Sequence, residues 1–266
     1  MITLDLIGIG TGNPDHLTFE AAARLAGADL VLLPRKGTAK ADLADLRREI
    51  CARVLAGRAT PVAEFDMPQR DAARPDYLAG VDAWHAAIAD AWATAIAENL
   101  PGGSGRVALL VWGDPSLYDS SLRIAERLRA RGLALSVRVV PGITSLQMLA
   151  AAHAIPLNRL GAPFLVTTGR RLRESGWPAG VDSVAVMLDG GCAFASLPPE
   201  GLTLYWSAYL GLPHEVSIAG PLAETGARVQ QLRADLRARH GWIMDIYLLR
   251  RDAGGNDEVS HGPATG

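Results

Sequence analysis

The sequence has few cysteines, no excess of either charge and no long hydrophobic run, and each absence argues against a class of protein. Its 266 residues include two cysteines, Cys51 and Cys192. These are too few for a disulfide framework and lack the clustered partners of a zinc site, so no metal is predicted. Both are predicted to be reduced core thiols in a cytoplasmic protein. The 26 basic and 28 acidic residues nearly balance, so no nucleic-acid partner is expected.

No apolar run reaches membrane-spanning length, so no membrane partner is expected either. The first residues carry Asp5 but neither a basic segment nor a cleavage site, and they predict a strand rather than a signal peptide. Hydrophobic residues make up 49% of the chain, which suffices for one large or two modest domains. The polar, glycine-rich residues 252–266 predict a disordered tail.

Predicted strands and helices alternate along the chain, which is typical of α/β proteins. Residues 1–150 are expected to form an α/β domain with a mostly parallel sheet, and residues 151–251 a second α/β domain with a mixed sheet. Strands are predicted at residues 2–7, 30–33, 61–65, 107–112, 135–140, 164–168, 183–188, 202–208 and 243–249. Helices are predicted at residues 17–26, 39–55, 77–100, from near Ser116, and at 143–153 and 223–239.

Three distinctive loops follow strands of the predicted first sheet. They are "GIGTGNPDHLT" (residues 8–18), "VWGDPSLYDSS" (residues 111–121) and "VVPGITSLQMLAA" (residues 139–151). Ligands of open parallel sheets bind beyond the carboxyl ends of the strands. The three loops therefore predict a ligand site at one edge of the sheet.

The first loop does not match the two common phosphate-binding patterns. Its glycines are spaced G-x-G-x-G, Asn13 and Pro14 interrupt it, and no acidic residue ends the second strand, so it lacks the dinucleotide-binding fingerprint. It also lacks the Gly-Lys-Ser/Thr of a P-loop. On these residues alone, a simple tight turn remains an alternative to a ligand site.

The second and third loops add polar groups beside glycines. In Gly113-Asp114-Pro115, the glycine lets a ligand approach the backbone and the carboxylate suits hydroxyls and an ammonium or sulfonium group. A helix N-cap is the alternative role for Asp114. Thr144 and Ser145 stand at a predicted helix start, where capping is again the alternative.

The ordered set G-x-G-x-G-x-P-x-x-L-T, G-D-P-x-x-Y and P-G-I-T-S resembles the tetrapyrrole (corrin/porphyrin) methyltransferase family. The resemblance covers residues 1–251, and "VAVMLDG" and "LGLPHEVSIAGPL" match further family segments. It implies two α/β domains that bind S-adenosylmethionine in the cleft between them. The sequence departs from the usual family residues at Thr11 (proline), Asn13 (aspartate), Trp112 (glycine or serine), Gly211 (threonine) and Glu215 (glutamine).

The resemblance also implies which residues contact the cofactor and what the reaction is. The expected reaction is methyl transfer from a sulfonium to an electron-rich carbon of a small-molecule tetrapyrrole, and the family is typically homodimeric. The cofactor contacts that carry over are Thr11, Trp112, Gly113, Asp114, Leu117, Thr144, Ser145, Met187 and Leu210.

Three stretches, "VLLPRKG", "VWGDPSLYDSSLRIAERL" and "IMDIYLLRR", are most similar to one branch of the family. Its members methylate C1 of precorrin-5 and release an acetyl fragment as acetate in aerobic cobalamin biosynthesis. Three alternatives stay open. The first is that the acceptor is another precorrin or uroporphyrinogen carbon. The second is that the acceptor is the modified histidine of a translation factor. The third is that the chain is a non-enzymatic nucleotide- or dinucleotide-binding module.

Acetate release needs a water molecule and a general base. The expected candidates are Asp114, Tyr118 and Asp15, with Asp189, His16 and His153 as further possibilities, and the sequence alone does not choose among them. Asp15 is equally expected to cap the helix near Leu17, and Tyr118 to pack.

The carboxylate-rich substrate needs cationic partners, and arginine suits carboxylates. Arg35 and Lys36 follow one predicted strand, and Arg170, Arg171 and Arg173 follow another. These residues are the expected substrate contacts, with a solvated helix start as the alternative for the three later arginines.

Overall fold

The computed structural model describes residues 1–35, 41–70 and 76–252. It divides into two compact units. The first comprises Met1–Met148 together with Gly211–His214, and the second comprises Leu149–Leu210 and the described residues from Glu215 onward. The predicted tail, apart from Asp252, lies outside the described residues.

The first unit contains a five-stranded parallel sheet in the order β3-β2-β4-β1-β5. Strands and helices alternate as the sequence predicts. The elements are β1 (Ile2–Gly8), α1 (Phe19–Ala26), β2 (Leu30–Arg35), α2 (Ala41–Val54), β3 (Val62–Asp66), α3 (Tyr77–Asn99), β4 (Gly105–Val111), α4 (Ser121–Ala130), β5 (Leu135–Val140) and α5 (Ser145–Ala152), the last of which continues into the second unit.

Both faces of this sheet are buried, which explains why its strands are apolar runs rather than alternating patterns. On one face, Leu4 and Leu6 of β1 belong to a core cluster with Trp92 of α3. On the other face, Ile7 belongs to a cluster with Leu25 of α1. Successive residues of β1 therefore point to opposite layers of helices.

The second unit contains a five-stranded mixed sheet in the order β6-β7-β10-β8-β9. Strands β6 and β7 are parallel, whereas β10 runs antiparallel to β7 and β8, and β8 antiparallel to β9. The elements are β6 (Phe164–Thr168), α6 (Gly169–Ser175), β7 (Ser183–Met187), β8 (Leu202–Ala208), β9 (Val216–Pro221), α7 (Leu222–His240) and β10 (Asp245–Arg251).

The predicted α/β class with a parallel first sheet and a mixed second sheet is confirmed. Helix α6 is missing from the predicted helices, and two further details of the prediction are wrong. Helix α4 begins at Ser121 rather than near Ser116 because Asp114 and Asp119 accept backbone hydrogen bonds that hold the preceding residues in turns. Strand β9 was not predicted. Within the described part of the chain it is an edge strand that pairs only with β8, and it ends in Gly220 and Pro221, which disfavour strands.

Candidate active site

Three loops meet at one edge of the first sheet. They follow β1, β4 and β5, which are parallel neighbours, so their carboxyl ends lie together. Two backbone hydrogen bonds join the first loop to the second. The N–H of Gly113 donates to the carbonyl of Gly10 at 2.7 Å, and the N–H of Gly10 donates to the carbonyl of Gly113 at 3.3 Å. The loops singled out in the sequence thus form one connected surface.

Backbone packs directly on backbone where these loops meet. A Cβ atom on Gly142 would lie 2.2 Å from the carbonyl oxygen of Gly113, and one on Gly8 would lie 2.6 Å from the nitrogen of Gly142. No side chain fits at either position. Gly113 itself has φ +61°, and among the described residues a Cβ there would meet only the Cα of Thr144, at 3.9 Å. The described residues therefore leave the backbone at Gly113 uncrowded, as a ligand lying against the chain requires.

The Asp114 carboxylate fastens the second loop to the third. It is 9% exposed and accepts hydrogen bonds from the N–H of Gly142 at 2.9 Å and the N–H of Ser116 at 2.8 Å, and also from the Ser116 hydroxyl. Burial acts to raise its pKa, but these hydrogen bonds outweigh burial and hold the pKa below its usual value. The N-cap alternative is wrong, since α4 starts seven residues later, at Ser121.

Trp112 fills the space between the first two loops. A Cβ on Gly12, whose φ is +99°, would lie 2.4 Å from the indole ring, so glycine is required there. The indole Nε1 is buried without a hydrogen-bond partner among the described residues. The guanidinium of Arg47 lies 5.1 Å from the ring centroid, and its Nε donates to the carbonyl of Leu110 at 3.3 Å.

Arg47 is a buried cation that the sequence reasoning missed. It is 6% exposed, and burial lowers its pKa to about 10. A signal was present, because Arg47 stands three residues after Ala44 and four before Cys51, on the inward face of α2. A charge at a core position of an amphipathic helix indicates a specific contact. Here the Arg47 side chain contacts the Leu110 carbonyl at the end of β4 and the ring of Trp112.

The other predicted cofactor contacts of this unit lie in the same loops. The N–H of Leu117 donates to the carbonyl of Asp114 at 3.2 Å. Tyr118 has a left-handed backbone with φ +49° and a half-exposed ring, and burial raises its pKa. The Thr144 hydroxyl accepts the N–H of Leu146 at 3.2 Å and pairs with Gln147, so the capping role at the start of α5 is present, with Ser145 as the first helical residue.

Thr11, His16 and Gly211 form a small cluster within the first unit. Thr11 is 9% exposed, and its Oγ1 lies 3.1 Å from Nδ1 of the half-buried His16. Gly211 has φ +78°, and a Cβ there would lie 2.4 Å from Thr11 Oγ1 and 2.7 Å from Cε1 of His16. Thr11 and Gly211, which both differ from the usual family residues, are therefore in direct contact.

Two other predicted residues of this unit lie in exposed ion pairs. Asp15 is 2.7 Å from Arg53, and Arg35 is 3.0 Å from Asp66. Asp15 does not cap α1, so that alternative is wrong. The cap is Thr18, whose hydroxyl accepts the N–H of Ala21 at 3.0 Å. Lys36, a predicted substrate contact, lies outside the described residues.

In the second unit, Asp189 holds the loop that follows Met187 and β7. Its buried carboxylate accepts hydrogen bonds from Arg173 at 2.9 Å, from the Tyr247 hydroxyl at 2.7 Å and from the N–H groups of Gly191 and Ala193. Burial acts to raise its pKa, but these donors outweigh it and lower the pKa. Beside it, Leu188 has φ +54° and is 67% exposed.

The remaining predicted residues of the second unit differ in exposure. Leu210 is buried, whereas Arg170 and Arg171 are exposed on α6, where Thr168 caps the helix by accepting the Arg171 N–H. His153 is half-buried, and its Nε2 lies 3.0 Å from Ser207 Oγ. Burial lowers the His153 pKa.

Among the residues that the structure describes, no group of three His, Cys, Asp or Glu residues is placed to hold a metal ion. None of the described helices combines the length and the hydrophobicity of a membrane-spanning segment.

The fold and the three-loop site define a known class of protein. The family model described as Tetrapyrrole (Corrin/Porphyrin) Methylases matches residues 3–226, and the chain belongs to this family. It is 48% identical over 249 residues to a Precorrin-6A synthase [deacetylating] of Sinorhizobium sp, an alignment that covers 93% of this chain and 95% of that protein.

Solved structures show the same fold. A cobalamin synthesis related protein (CobF) from Corynebacterium diphtheriae superposes with a TM-score of 0.81 and 41% identity, over 94% of this chain and 99% of that one. A uroporphyrin-III-C-methyltransferase from Thermus thermophilus superposes with a TM-score of 0.59 and 22% identity, over 94% and 92% of the two chains. At that identity, the second match supports the fold alone.

Proposed function

We propose that this chain is an S-adenosylmethionine-dependent methyltransferase that methylates C1 of precorrin-5 and releases the acetyl fragment as acetate, giving precorrin-6A. The observation that carries the proposal is the 48% identity to a deacetylating precorrin-6A synthase over nearly the whole of both chains. Family membership and the 41% identity to the cobalamin synthesis related protein support it.

The cofactor proposal rests on the backbone surface of the three loops. Gly113 leaves room for a ligand against the chain, and no phosphate-binding motif is present in the first loop. We propose that Thr11, Trp112, Gly113, Asp114, Leu117, Thr144, Ser145, Met187 and Leu210 hold the cofactor. When bound, S-adenosylmethionine supplies a methyl group on a positively charged sulfur. A related uroporphyrin-III C-methyltransferase has been solved with S-adenosyl homocysteine.

In this account the protein contributes mainly shape and position. Asp114 acts through the loops, because its hydrogen bonds to Ser116 and Gly142 fix the backbone that surrounds Gly113. Rigid backbone held in this way positions reactants without reorganisation during the reaction. The exposed side chains of Arg35, Arg170 and Arg171, with Lys36, are proposed to pair with substrate carboxylates.

The setting of the enzyme is part of the same proposal. The chain is proposed to act in the cytoplasm, as a homodimer, on a small-molecule tetrapyrrole. The two buried free cysteines fit a reducing compartment.

Calorimetry with S-adenosylhomocysteine, NAD and ATP tests the cofactor. We expect binding of S-adenosylhomocysteine and none of NAD. Tight NAD binding without S-adenosylhomocysteine binding would instead support a dinucleotide-binding module.

The substrate is tested by offering precorrin-5, another precorrin and uroporphyrinogen III with S-adenosylmethionine. We expect a methylated product and acetate from precorrin-5 only. Methylation of another acceptor, or methylation of precorrin-5 without acetate, would contradict the proposed substrate or the proposed deacetylation respectively.

A further inference from the structure

A cavity of about 320 Å³ opens within the second unit, and we call it the arginine pocket. It is lined by Arg159, Thr203, Tyr205, Arg250, Arg251 and Asp252. Its volume lies at the lower end of the range for small-molecule sites. Three of the six lining residues are arginines and one is an aspartate, so positive charge predominates in the lining.

The arginine pocket lies at the edge of the second sheet that is opposite to Met187. Arg250 pairs with Ser183 at the start of β7, whereas Met187 ends that strand. Arg250 also pairs with Thr203 near the start of β8. Along β7 the two ends are four residue steps apart, about 13 Å. The pocket is therefore distinct from the Met187 end of this sheet, and its six lining residues include none of those proposed to hold cofactor or substrate.

The guanidinium of Arg250 is held entirely by neutral groups. Its Nε donates to the Ser183 hydroxyl at 3.2 Å. Its Nη2 donates to the carbonyl of Pro156 at 2.6 Å and to that of Leu157 at 3.3 Å. The guanidinium carbon also lies 5.7 Å from the centre of the Tyr205 ring. These contacts fix the side chain without neutralising its charge.

Neutral groups also hold the other two arginines. The Nη2 of Arg159 donates to the carbonyl of Arg251, whose own guanidinium carbon lies 4.9 Å from the centre of the Trp177 ring. The Nε of Arg159 has no hydrogen-bond partner among the described residues, so this guanidinium is not saturated. None of the three arginines forms an ion pair within the part of the chain that the structure describes.

Asp252 does not balance these charges. It is exposed to solvent, which screens its charge. Its Oδ1 accepts the Thr203 hydroxyl at 2.7 Å, and its N–H donates to the carbonyl of Gly201 at 2.9 Å. Three arginines that are held in place by neutral partners, beside a single exposed carboxylate, favour an anionic ligand.

The lining favours carboxylates over phosphates. Arginine binds both groups, but phosphate sites also commonly use backbone N–H groups of a glycine-rich turn or a helix N-terminus. The six lining residues include no glycine, and none of them lies in a helix. A volume of 320 Å³ corresponds to roughly ten water molecules. The pocket can therefore hold a small organic anion but not a tetrapyrrole macrocycle.

We propose that the arginine pocket binds a small polycarboxylate, an organic anion with two or more carboxylates. Arg159 and Arg250 supply charge and guanidinium N–H donors, and the planar guanidinium suits carboxylate oxygens. More than one carboxylate is needed because more than one uncompensated arginine lines the pocket. This inference goes beyond the proposed function and does not depend on it.

Calorimetry on the full-length protein, with citrate as the probe and chloride at physiological ionic strength, tests the site. We expect one citrate bound per chain. Arg159→Gln and Arg250→Gln should each raise the Kd for citrate at least about 10-fold, because each removes charge-assisted hydrogen-bond donors. Arg237→Gln removes the same charge from an exposed position of α7 and should leave the Kd unchanged.

Asp252→Asn should have the opposite effect. It removes the negative charge from the lining, while its side-chain oxygen can still accept the Thr203 hydroxyl. The Kd for citrate should therefore fall about 3-fold. This variant loses no packing and decides the matter if an arginine variant does not fold.

The inference is overturned if citrate does not bind, if Arg237→Gln weakens binding as much as Arg159→Gln, or if Asp252→Asn does not tighten it. Tighter binding of pyrophosphate than of citrate would contradict the assignment to carboxylates. Equal affinity for acetate and citrate would contradict the need for several carboxylates. None of these measurements uses S-adenosylmethionine or precorrin-5, so failure of the proposed function is observed separately.

Discussion

At the scale of single residues, the sequence motifs predicted which loops meet at the sheet edge but not the contacts that their side chains make. The G-D-P motif predicted that Asp114 matters. It did not show that both carboxylate oxygens are used within the protein, because Gly142 is 28 residues away in sequence and only the fold brings it to Asp114. The Thr11–Gly211 contact was equally inaccessible, since it joins positions 200 residues apart.

Replacing Asp114 with alanine should destabilise the protein by about 2 kcal/mol at pH 7, because the partly buried N–H of Gly142 loses a charged acceptor. The folded-state pKa of Asp114 is lowered, so its stabilisation is present above the pKa of the unfolded chain and is lost as the pH falls through the folded-state pKa. Urea unfolding at pH 7 and at low pH measures this. Asp45→Ala, at an exposed ion pair with Arg48, should cost less than about 0.5 kcal/mol. An Asp114→Ala effect that stays constant with pH would contradict this role.

Asp5 is a buried carboxyl group whose pKa is raised, whereas that of Asp114 is lowered. It is 1% exposed in the middle of β1, and its Oδ1 has no hydrogen-bond partner in the described part of the chain. Burial raises its pKa, against the attraction of Arg138, Arg24 and Arg106. The charged form is therefore destabilising, and Asp5→Asn should stabilise the protein by about 1 kcal/mol at pH 8. The gain should disappear in acid, where the carboxyl is protonated in both states. Thermal unfolding across this pH range is the measurement, and a lower melting temperature for Asp5→Asn at pH 8 would contradict it.

At the scale of elements, periodicity and composition predicted most strands and helices. The predicted limits of β5, β6 and β8 agree with the structure, because these strands are bounded by glycine and proline or by clear polarity changes. The loop before α4 and the edge strand β9 were missed because side-chain hydrogen bonds and a single strand partner decide them. Such interactions leave no periodic signal.

The contact between the three loops makes a prediction at this scale. Gly142→Ala should cost about 3 kcal/mol or more and weaken S-adenosylhomocysteine binding, because its Cβ would lie 2.2 Å from the carbonyl oxygen of Gly113, which is backbone and cannot turn aside. Gly102→Ala is the matched control, since its Cβ would meet no atom of the described residues within 4 Å. Denaturant unfolding and calorimetry on both variants test this. If Gly142→Ala and Gly102→Ala had similar stability and affinity, the close contact between the loops would not be needed for either property.

At the scale of the whole molecule, each unit is built around its own sheet, one parallel and one mixed. The three motifs predicted this architecture through the family resemblance. In that family the motifs follow one another in a fixed order, each at the end of a strand. The alternation of strands and helices pointed the same way. The division of the chain was harder to foresee, since Gly211–His214 groups with the first unit although it follows β8 of the second.

The central claim is that one enzyme both methylates precorrin-5 and releases its acetyl group. It is tested most directly by counting products from the purified protein with precorrin-5 and S-adenosylmethionine. The account predicts one acetate for each S-adenosylhomocysteine formed, from the first turnover onward. Formation of S-adenosylhomocysteine without acetate, or of neither product, would contradict it.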